Sequence, residues 1–379
     1  MNLALVAMFW ASVALIVYVF IGFPAAVALG AVLRPRPWRR EQSEPSITIV
    51  IAAHNEAGAV TAKIANLLSL DYPADRVEIL IGSDGSTDST ADELRRVNDS
   101  RVRTFLFAER KGKPSILNAL VPEAKGDIIV FADVRQLFDP HVLRALTQSF
   151  ADAEIGAVTG DLIVRNDDGS YWRYEKFIRS RESIVKSTVV VTGAIYAIRR
   201  ELFEPIPSDT IADDLLIPLR IARRGFRVVV DSEARAYDVA SATRRQEWTR
   251  KVRTVAGAFQ LFSREPWLFN PMKNPLWWQT MSHKALRLAV APLQLAAFAS
   301  NALLATQSAF YQALLLAQLF FYALAVIGAV LPQNWKRPRV INVPYVFCLL
   351  SWVTVMAFLR WITNRQAVTW EKMSPLKVG

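Results

Sequence analysis

Three long stretches of the chain carry no charged side chain, namely residues 1–33, 288–335 and 340–359. Each exceeds the ~18 apolar residues that a membrane-spanning helix needs. The middle stretch is long enough for two crossings, with a turn expected between Asn301 and Ser308. Core helices of soluble proteins rarely stay uncharged for so long, and residues 1–33 lack the basic start of a signal peptide. We therefore expect one span before the central segment and three after it.

The segment between these stretches alternates two patterns. Short β-branched runs predict strands at Ser46–Ala53, Val77–Gly82, Arg103–Phe107, Asp127–Ala132 and Gly156–Val164. Helical patterns lie between them, at residues 60–70, 90–97, 111–124 and 140–151. Strands that alternate with helices predict an α/β fold with a mostly parallel sheet flanked by helices on both faces. Such a sheet hosts many functions, so the fold alone does not decide the activity.

The net charge of +11 is concentrated where the apolar stretches end. The basic clusters are Arg34, Arg36, Arg39 and Arg40; Arg244, Arg245, Arg250, Lys251 and Arg253; and Lys336, Arg337 and Arg339. Positive charge beside a span marks the cytoplasmic side. We expect an integral protein of the plasma or inner membrane, with residues 34–283 and 332–339 in the cytoplasm and both termini outside. The sequence has no basic patch interleaved with aromatic residues, the pattern that would indicate nucleic-acid binding, so we expect no nucleic-acid partner.

Cysteine and histidine give little chemistry. The single cysteine, Cys348, excludes a disulfide within one chain. His54, His141 and His283 lack the spacing of zinc ligands.

Carboxylates follow or adjoin the predicted strands at four places: Glu56, Asp84 with Asp88, Asp133, and Asp213 with Asp214. The carboxyl ends of the strands in an α/β sheet meet at the edge where such folds bind ligands. Several carboxylates at that edge can hold a divalent cation and leave one side chain as a base. Together with the membrane spans, this pattern favours chemistry on a phosphorylated substrate at a membrane face.

Each motif also has a plain structural interpretation. The turn from Asp84 to Asp88 is rich in ordinary turn residues, and Asp133 has the position of a loop cap. Asp213 and Asp214 begin a predicted helix, where the helix dipole favours acids; equally, one of them could be a general base whose pKa its neighbour raises. Lys111 and Lys113 around Gly112 suit a diphosphate, although this composition is common on surfaces.

In chain order, these residues resemble the inverting glycosyltransferases of family 2, the group that includes chitin, hyaluronan and poly-N-acetylglucosamine synthases. The resemblance covers residues 46–290. It rests on His54-Asn55-Glu56, Asp84-Gly85-Ser86-Thr87-Asp88, Gly112-Lys113 with Asn118, Phe131-Ala132-Asp133, Val191-Thr192-Gly193-Ala194, Asp213-Asp214, and Arg250-Lys251-Val252-Arg253 with Gly257.

The resemblance implies a GT-A-type fold and a role for each motif. Asp214 is the implied catalytic base, Asp133 the ligand of Mg²⁺ or Mn²⁺, and Gly193 and Ala194 the border of the acceptor. The implied nucleotide-sugar contacts are Glu56, Asp84, Asp88, Lys113, Asp213, Arg250, Lys251 and Arg253. The implied reaction transfers a sugar from a nucleotide sugar, expected to be a UDP-sugar, to a glycan or lipid-linked hydroxyl with inversion to a β-linkage. Transfer of one sugar to a lipid phosphate, or an inactive nucleotide-binding sensor, are the alternatives.

The chain departs from the family pattern at two motifs. Arg135 stands where the Asp-x-Asp motif has its second acid. In the Gln-x-x-Arg-Trp motif of processive members, Arg250 replaces the glutamine and Thr254 the tryptophan, which puts processive synthesis in doubt.

The expected organisation has five parts. A membrane segment at 1–33 precedes a GT-A domain at 34–265. A Trp-rich interfacial segment at 266–287, a membrane region at 288–360 and a tail at 361–379 follow.

Overall fold

The computed structural model describes residues 2–165, 170–239, 244–332, 335 and 337–366. These residues form two compact units. The helical unit contains the residues up to Ala26, Trp248–Phe259, and the chain from Thr280 to Gln366. The sheet unit contains Val27–Glu247 and Gln260–Gln279. Lys336, residues 367–379 of the predicted tail and the expected position of the C-terminus lie outside the described residues.

The part of the sheet unit that the structure describes is built on eight strands. They are β1 Ile47–Ala53, β2 Val77–Asp84, β3 Val102–Phe107, β4 Ile128–Ala132, β5 Leu137–Phe138, β6 Ile155–Arg165, β7 Ile195–Arg199 and β8 Arg227–Val239. They lie in the order β3-β2-β1-β4-β7-β6-β8-β5. Four of the seven pairings are parallel and three are antiparallel. The α/β class with flanking helices is confirmed, and the sheet is mixed.

The helices of the sheet unit connect these strands. They are Ala59–Leu68, Thr90–Arg95, Lys113–Leu120, Val142–Gln148, Ser170–Val185 and Asp213–Arg223. A further helix, Arg244–Arg264, belongs to both units.

The core explains why the predicted strands form. All seven residues of β1 are buried, because its β-branched side chains pack on both faces of the sheet. On one face, Ile49 and Ile51 join a core with Ile64 of the helix Ala59–Leu68. On the other face, Gly82 lets the helix Lys113–Leu120 come close, since a Cβ there would lie 2.5 Å from Cγ2 of Ile116. The strand ends are thereby fixed between two layers of helices.

Among the described residues, three helices are long and apolar enough to cross a membrane: Leu3–Leu33, Ala309–Val330 and Arg339–Ile362. The expected second span is different. Val290–Ala305 has 16 residues, and it forms a candidate span only together with Trp277–Leu288, from which it bends by 60°. The helix break at residues 306–308 falls inside the predicted turn. The first helix includes a π-helical turn at Tyr18–Gly22.

The segment predicted to lie along the membrane, 266–287, is not one regular element. A short 3-10 helix at Pro266–Phe269 precedes a turn, and the chain then enters the helix that begins at Trp277. Its predicted contact with the bilayer stays a prediction.

Candidate active site

The sheet register brings the predicted motifs to one edge. In β1, Ile51 pairs with Ala132 of β4, and Ala53 pairs with Ser83 of β2. The loops that carry Glu56, Asp84 and Asp133 therefore leave neighbouring parallel strands side by side. Because β7 runs antiparallel to β4 and begins opposite Ala132, the loop that contains Gly193 reaches the same edge.

Asp84 fixes the next loop along the edge. Its side chain is fully buried, and its two carboxylate oxygens accept hydrogen bonds from the backbone N–H groups of Lys111 (2.6 Å) and Gly112 (2.8 Å). Gly85 permits this close approach, since its φ is +56° and a Cβ would lie 2.5 Å from the Arg110 nitrogen. Asp84 thus positions the start of the helix that carries Lys113, and its contact with a nucleotide stays a prediction.

Asp88 joins two loops. One carboxylate oxygen accepts from the Thr90 backbone N–H at 3.0 Å, and the other accepts from the N–H of Ala57 at 3.3 Å. The neighbouring Glu56 N–H donates to the Thr90 hydroxyl at 2.8 Å. These bonds show a structural role for Asp88 beside Glu56, and its predicted role in nucleotide binding is untested.

Glu56 is held by Arg135, the residue that departs from the Asp-x-Asp pattern. The Arg135 Nε lies 3.1 and 3.2 Å from the two carboxylate oxygens of Glu56. The Glu56 side chain is 10% exposed and that of Arg135 25%. Truncating either partner would leave a largely desolvated charge, so the pair ties the loop after β1 to the loop after β4.

Lys113 lies between acids from two different motifs. Its Nζ is 3.0 Å from Oδ1 of Asp133 and 3.5 Å from Oδ2 of Asp213. The Asp213 side chain is 10% exposed, whereas that of Asp133 is 43% exposed and open to a ligand. A cation at this position joins the strand-end acid to the acidic doublet.

The charges around Lys113 determine its protonation. Burial alone would lower the pKa of Lys113, but Asp133, Asp213 and Asp214 outweigh burial and raise this pKa well above its usual value. Lys113 therefore stays cationic throughout the neutral range and presents a fixed positive charge.

Asp214 faces the predicted acceptor loop. A Cβ on Gly193 would lie 3.5 Å from the Asp214 Cβ and 3.7 Å from its Oδ2. The Val191 N–H donates to the Asp214 backbone oxygen at 3.1 Å, which fixes the loop to the start of the helix Asp213–Arg223. Ala194 is buried next in this loop. The absence of a side chain at Gly193 leaves room beside the carboxylate of Asp214.

A buried arginine that the sequence did not indicate supports this loop. Nη2 of Arg179 donates to the hydroxyls of Thr192 (2.8 Å) and Thr159 (3.2 Å). Burial lowers the pKa of Arg179, while nearby acids including Asp214 oppose this effect. Nothing in the charged sequence of the helix Ser170–Val185 marks Arg179 as the residue that turns inward.

Tyr196 on β7 adds a buried hydroxyl. Its ring stacks on Phe131 with centroids 4.7 Å apart, and its hydroxyl has no hydrogen-bond partner among the described residues. Burial raises the pKa of Tyr196 well above its usual value, and Asp213, Asp214 and Asp133 raise it further. The phenol is thus a neutral O–H near the acids.

Lys63 is a second buried cation beneath the strand ends. It is fully buried, its Nζ donates to the Gln136 carbonyl, and it lies 3.7 Å from the centre of the Phe138 ring. Burial lowers its pKa to about 7, and Asp133 partly opposes this shift. Its position in an otherwise amphipathic helix gave no sign of this environment.

Arg250, Lys251 and Arg253 lie on the helix Arg244–Arg264, in its part that belongs to the helical unit. Val252 and Ala256 of this part pack with Val353 and Ala357 of the helix Arg339–Ile362. The predicted contacts of the three cations with a nucleotide are untested.

The carboxylates of the site suit a divalent cation that takes part of its ligands from the substrate. The described residues contain no group of three or more His, Cys, Asp or Glu side chains that could bind a metal by themselves. Asp133 offers one exposed carboxylate, and Mg²⁺ typically takes one or two carboxylates together with phosphate oxygens and water. The donor set therefore fits a divalent cation that arrives with a diphosphate.

Comparison with known families identifies the chain. The model described as "Glycosyltransferase like family 2" matches residues 45–260, more than half of the sequence. The chain belongs to glycosyltransferase family 2. This membership confirms the resemblance predicted from the motifs, and it makes the protein a transferase.

Curated relatives of this glycosyltransferase differ in their products. A poly-beta-1,6-N-acetyl-D-glucosamine synthase of Staphylococcus aureus is 23% identical over 60% of this chain and 58% of its own length. A beta-monoglucosyldiacylglycerol synthase of Synechocystis is 25% identical over 58% of this chain and 49% of its own length. The chain thus spans about half the length of these relatives.

A solved structure shares the architecture. A mannosyltransferase of Pyrobaculum calidifontis, determined with GDP-Man and Mn²⁺, superposes with a TM-score of 0.74 at 23% identity. The likeness covers 94% of this chain and 99% of the other. It shows that the glycosyltransferase has a GT-A-like fold with apolar terminal helices.

Proposed function

We propose that this glycosyltransferase transfers a sugar from a nucleotide sugar, a UDP-sugar, to an acceptor hydroxyl at the cytoplasmic face of the membrane. The observation that carries the proposal is the position of Lys113 between Asp133 and Asp213. Asp213 directly precedes Asp214 in the helix Asp213–Arg223. In a family 2 chain, a fixed cation, an open carboxylate and a candidate base at one sheet edge support the proposal.

The donor diphosphate would lie against Lys113 and Asp133. The ammonium of Lys113 can donate to diphosphate oxygens, and a charge-assisted bond of this kind contributes about 1.5–3 kcal/mol. Asp133 would hold Mg²⁺ or Mn²⁺, which would supply further positive charge to the leaving diphosphate. We propose that Glu56 and Asp84 shape the pocket for the nucleoside, since their loops flank this position.

Asp214 would act as the base. Its carboxylate would take the proton of an acceptor hydroxyl as the hydroxyl oxygen bonds to the anomeric carbon. The bond between that carbon and the diphosphate oxygen breaks on the opposite face, and its electron pair leaves with the nucleoside diphosphate. A single displacement inverts the configuration, so an α-linked donor gives a β-linkage.

The space beside Gly193 would receive the acceptor. A glycan hydroxyl and a lipid-linked hydroxyl are both consistent with an open position next to Asp214. The relatives include a polysaccharide synthase and a glycolipid synthase, so their names support both acceptor types. The loss of the tryptophan at Thr254 favours transfer of one or a few sugars over long processive synthesis.

A screen of nucleotide sugars tests the proposal. The purified full-length protein is incubated with each donor, with Mg²⁺, Mn²⁺ or a chelator, and with glycan or lipid acceptors. Mass analysis should find one glycosylated product that requires a divalent cation and is missing with Asp214→Asn, and NMR should show that its new linkage is β. Nucleotide binding without transfer or hydrolysis across the panel would instead support a sensor.

A further inference from the structure

The sheet unit contains a cavity of about 160 Å³ near the end of the helix Asp213–Arg223 that is remote from Asp214. Three cations line it, namely Arg36, Lys186 and Arg227, together with the carboxylate of Glu154. Ser187 and Gly225 form part of the remaining wall. We call this cavity the basic pocket.

Backbone carbonyls hold two of these cations in place. Arg227 donates from Nε to the Lys186 carbonyl at 2.9 Å, and from Nη2 to the carbonyls of Arg36 (2.7 Å) and Ser183 (2.9 Å). Lys186 donates to the Pro275 carbonyl at 2.6 Å. Neutral acceptors fix the positions of these cations without cancelling their charge.

The carboxylate in the wall compensates the three cations incompletely. Its contact with Arg36 is long, at 3.5 Å, and both side chains are more than half exposed. A contact of this kind contributes little. The lining therefore has an excess of two positive charges, from three cations and one carboxylate.

The pKa directions agree with this excess. Burial lowers the pKa of Lys186, and repulsion from Arg36 lowers it further. Burial also lowers the pKa of Arg227, with Arg36 adding to the effect and Glu154 and Asp152 opposing it. An anion in the pocket would relieve the repulsion that both residues experience.

The pocket is tied to the end of a candidate membrane span. The helix Leu3–Leu33 has 31 residues, about 46 Å at 1.5 Å per residue, whereas the hydrocarbon core is about 30 Å thick. At least one end must therefore lie at headgroup level. Arg36 follows three residues after Leu33, and its N–H donates to the Ile184 carbonyl at 2.8 Å. Arg36 is thus anchored to the sheet unit just beyond the span.

We propose that the basic pocket binds one phosphate group, and that this phosphate belongs to the headgroup of an anionic membrane lipid. Arg and Lys together provide the planar and point-charge donors that recognise phosphate oxygens. Basic pockets beside membrane helices on the cytoplasmic side typically bind such headgroups. This binding is independent of the transfer reaction and of Asp214.

Lipid retention tests the proposal on the full-length protein. The protein is reconstituted in mixed phosphatidylglycerol and phosphatidylcholine vesicles, extracted in mild detergent, and its bound lipids are counted by mass spectrometry. The variants are Arg36→Gln and Lys186→Gln. Lys125→Gln, an exposed lysine elsewhere on the sheet unit, is the matched control. Arg36→Gln is the decisive variant. The backbone N–H and carbonyl of Arg36 make the hydrogen bonds that hold this residue to Ile184 and Arg227, and the substitution keeps them.

The wild type should retain phosphatidylglycerol above its proportion in the vesicle. Each pocket variant should reduce this enrichment about fivefold, the effect of one cation near an anionic surface, and Lys125→Gln should leave it unchanged. Equal enrichment in Arg36→Gln and wild type would overturn the proposal. A second arm adds inorganic phosphate. Displacement of the lipid at low millimolar phosphate would overturn the lipid assignment and make the ligand a soluble phosphate, whereas persistence of the lipid supports the headgroup.

Discussion

Replacing Lys113 by methionine is the sharpest test of the site, because it removes one charge and little volume. Asp133, Asp213 and Asp214 would then share one sheet edge without the cation that now lies 3.0 and 3.5 Å from the first two. We expect a less stable sheet unit and weaker binding of the nucleoside diphosphate.

The size of the loss follows from burial. Removing one partner of a buried ion pair costs about 3–5 kcal/mol. The Lys113 side chain is 15% exposed and Asp213 10%, but Asp133 is 43% exposed. Solvent therefore screens one of the two contacts, and we expect the lower end of this range or less, about 2–3 kcal/mol. For a unit of this size, that corresponds to about 4–12 °C in Tm.

The pH dependence separates charge from packing. The raised pKa of Lys113 means that its stabilisation is fully present below its unfolded pKa of 10.5 and is lost only as pH rises through the higher folded value. The contribution of Lys113 should therefore be flat from pH 6 to 8. In Lys113→Met, the crowded carboxylates should bind protons more readily when folded. Its stability should approach that of the wild type as the pH falls.

Tryptophan-fluorescence melting in detergent measures both effects, and calorimetry with a nucleoside diphosphate measures binding. Binding should weaken about 10–100-fold, the loss of one charge-assisted hydrogen bond. Lys125→Met is the control for a lysine that is exposed. Equal Tm and equal affinity in Lys113→Met and wild type would refute the view that Lys113 neutralises both the acids and the diphosphate.

Four further predictions concern the base, the metal, a buried lysine and the topology. Asp214→Asn should lower turnover about 10²–10⁴-fold and largely spare donor binding; near-normal turnover would remove Asp214 as the base. Asp133→Ala should abolish the gain in diphosphate affinity that Mn²⁺ provides, and calorimetry that still shows the gain would place the metal elsewhere. Burial lowers the pKa of Lys63 in the folded protein to about 7, so between about pH 7 and 10 the unfolded protein binds one more proton than the folded protein. The free energy of unfolding of the wild type should therefore rise with pH in this range, by up to about 1.4 kcal/mol per pH unit. Denaturant unfolding of Lys63→Met should lack that slope. Reporter fusions at Gly379 should place the C-terminus outside the cytoplasm; a cytoplasmic reporter would mean that the bent helix pair, or another candidate, does not cross.

Much of the fold could be predicted because β1, β2 and β4 are short β-branched runs that are buried or mostly buried on both faces, and β3 has a similar composition although it is only partly buried. Strand β8 was not predicted, since its second half alternates Asp231, Glu233 and Arg235 with small or apolar residues and resembles a polar segment. Strand β7 was also not predicted, although Ile195–Arg199 directly follows the motif that ends at Ala194. The sheet is mixed because β7 and β5 run antiparallel to the strands they pair with.

The sequence indicated that the acids of the candidate site would lie at one sheet edge, and it indicated less about their contacts. The order of the motifs indicated which acids meet at the edge, since parallel strands end together. Long-range contacts depend on packing that no local pattern encodes. Three such contacts were not predicted. Asp84 accepts a hydrogen bond from the backbone N–H of Lys111, Arg135 donates to Glu56, and the buried side chain of Arg179 donates to Thr192.

The antiparallel pairing of β4 with β7 has a consequence for how such enzymes diversify. The residues proposed to hold the donor lie at or before Asp133 in the chain. The exceptions are Asp213 and the cations of the helix Arg244–Arg264. The loop at Gly193 and Asp214, the proposed base, follow Asp133. Within the sheet, the two halves meet where β4 pairs with β7, and the contacts of Lys113 with Asp213 and of Asn118 with Ile206 also join them. An exchanged acceptor half that keeps these contacts leaves the donor half unchanged. A chimera joined between β4 and β6 should therefore keep its nucleotide and exchange its product.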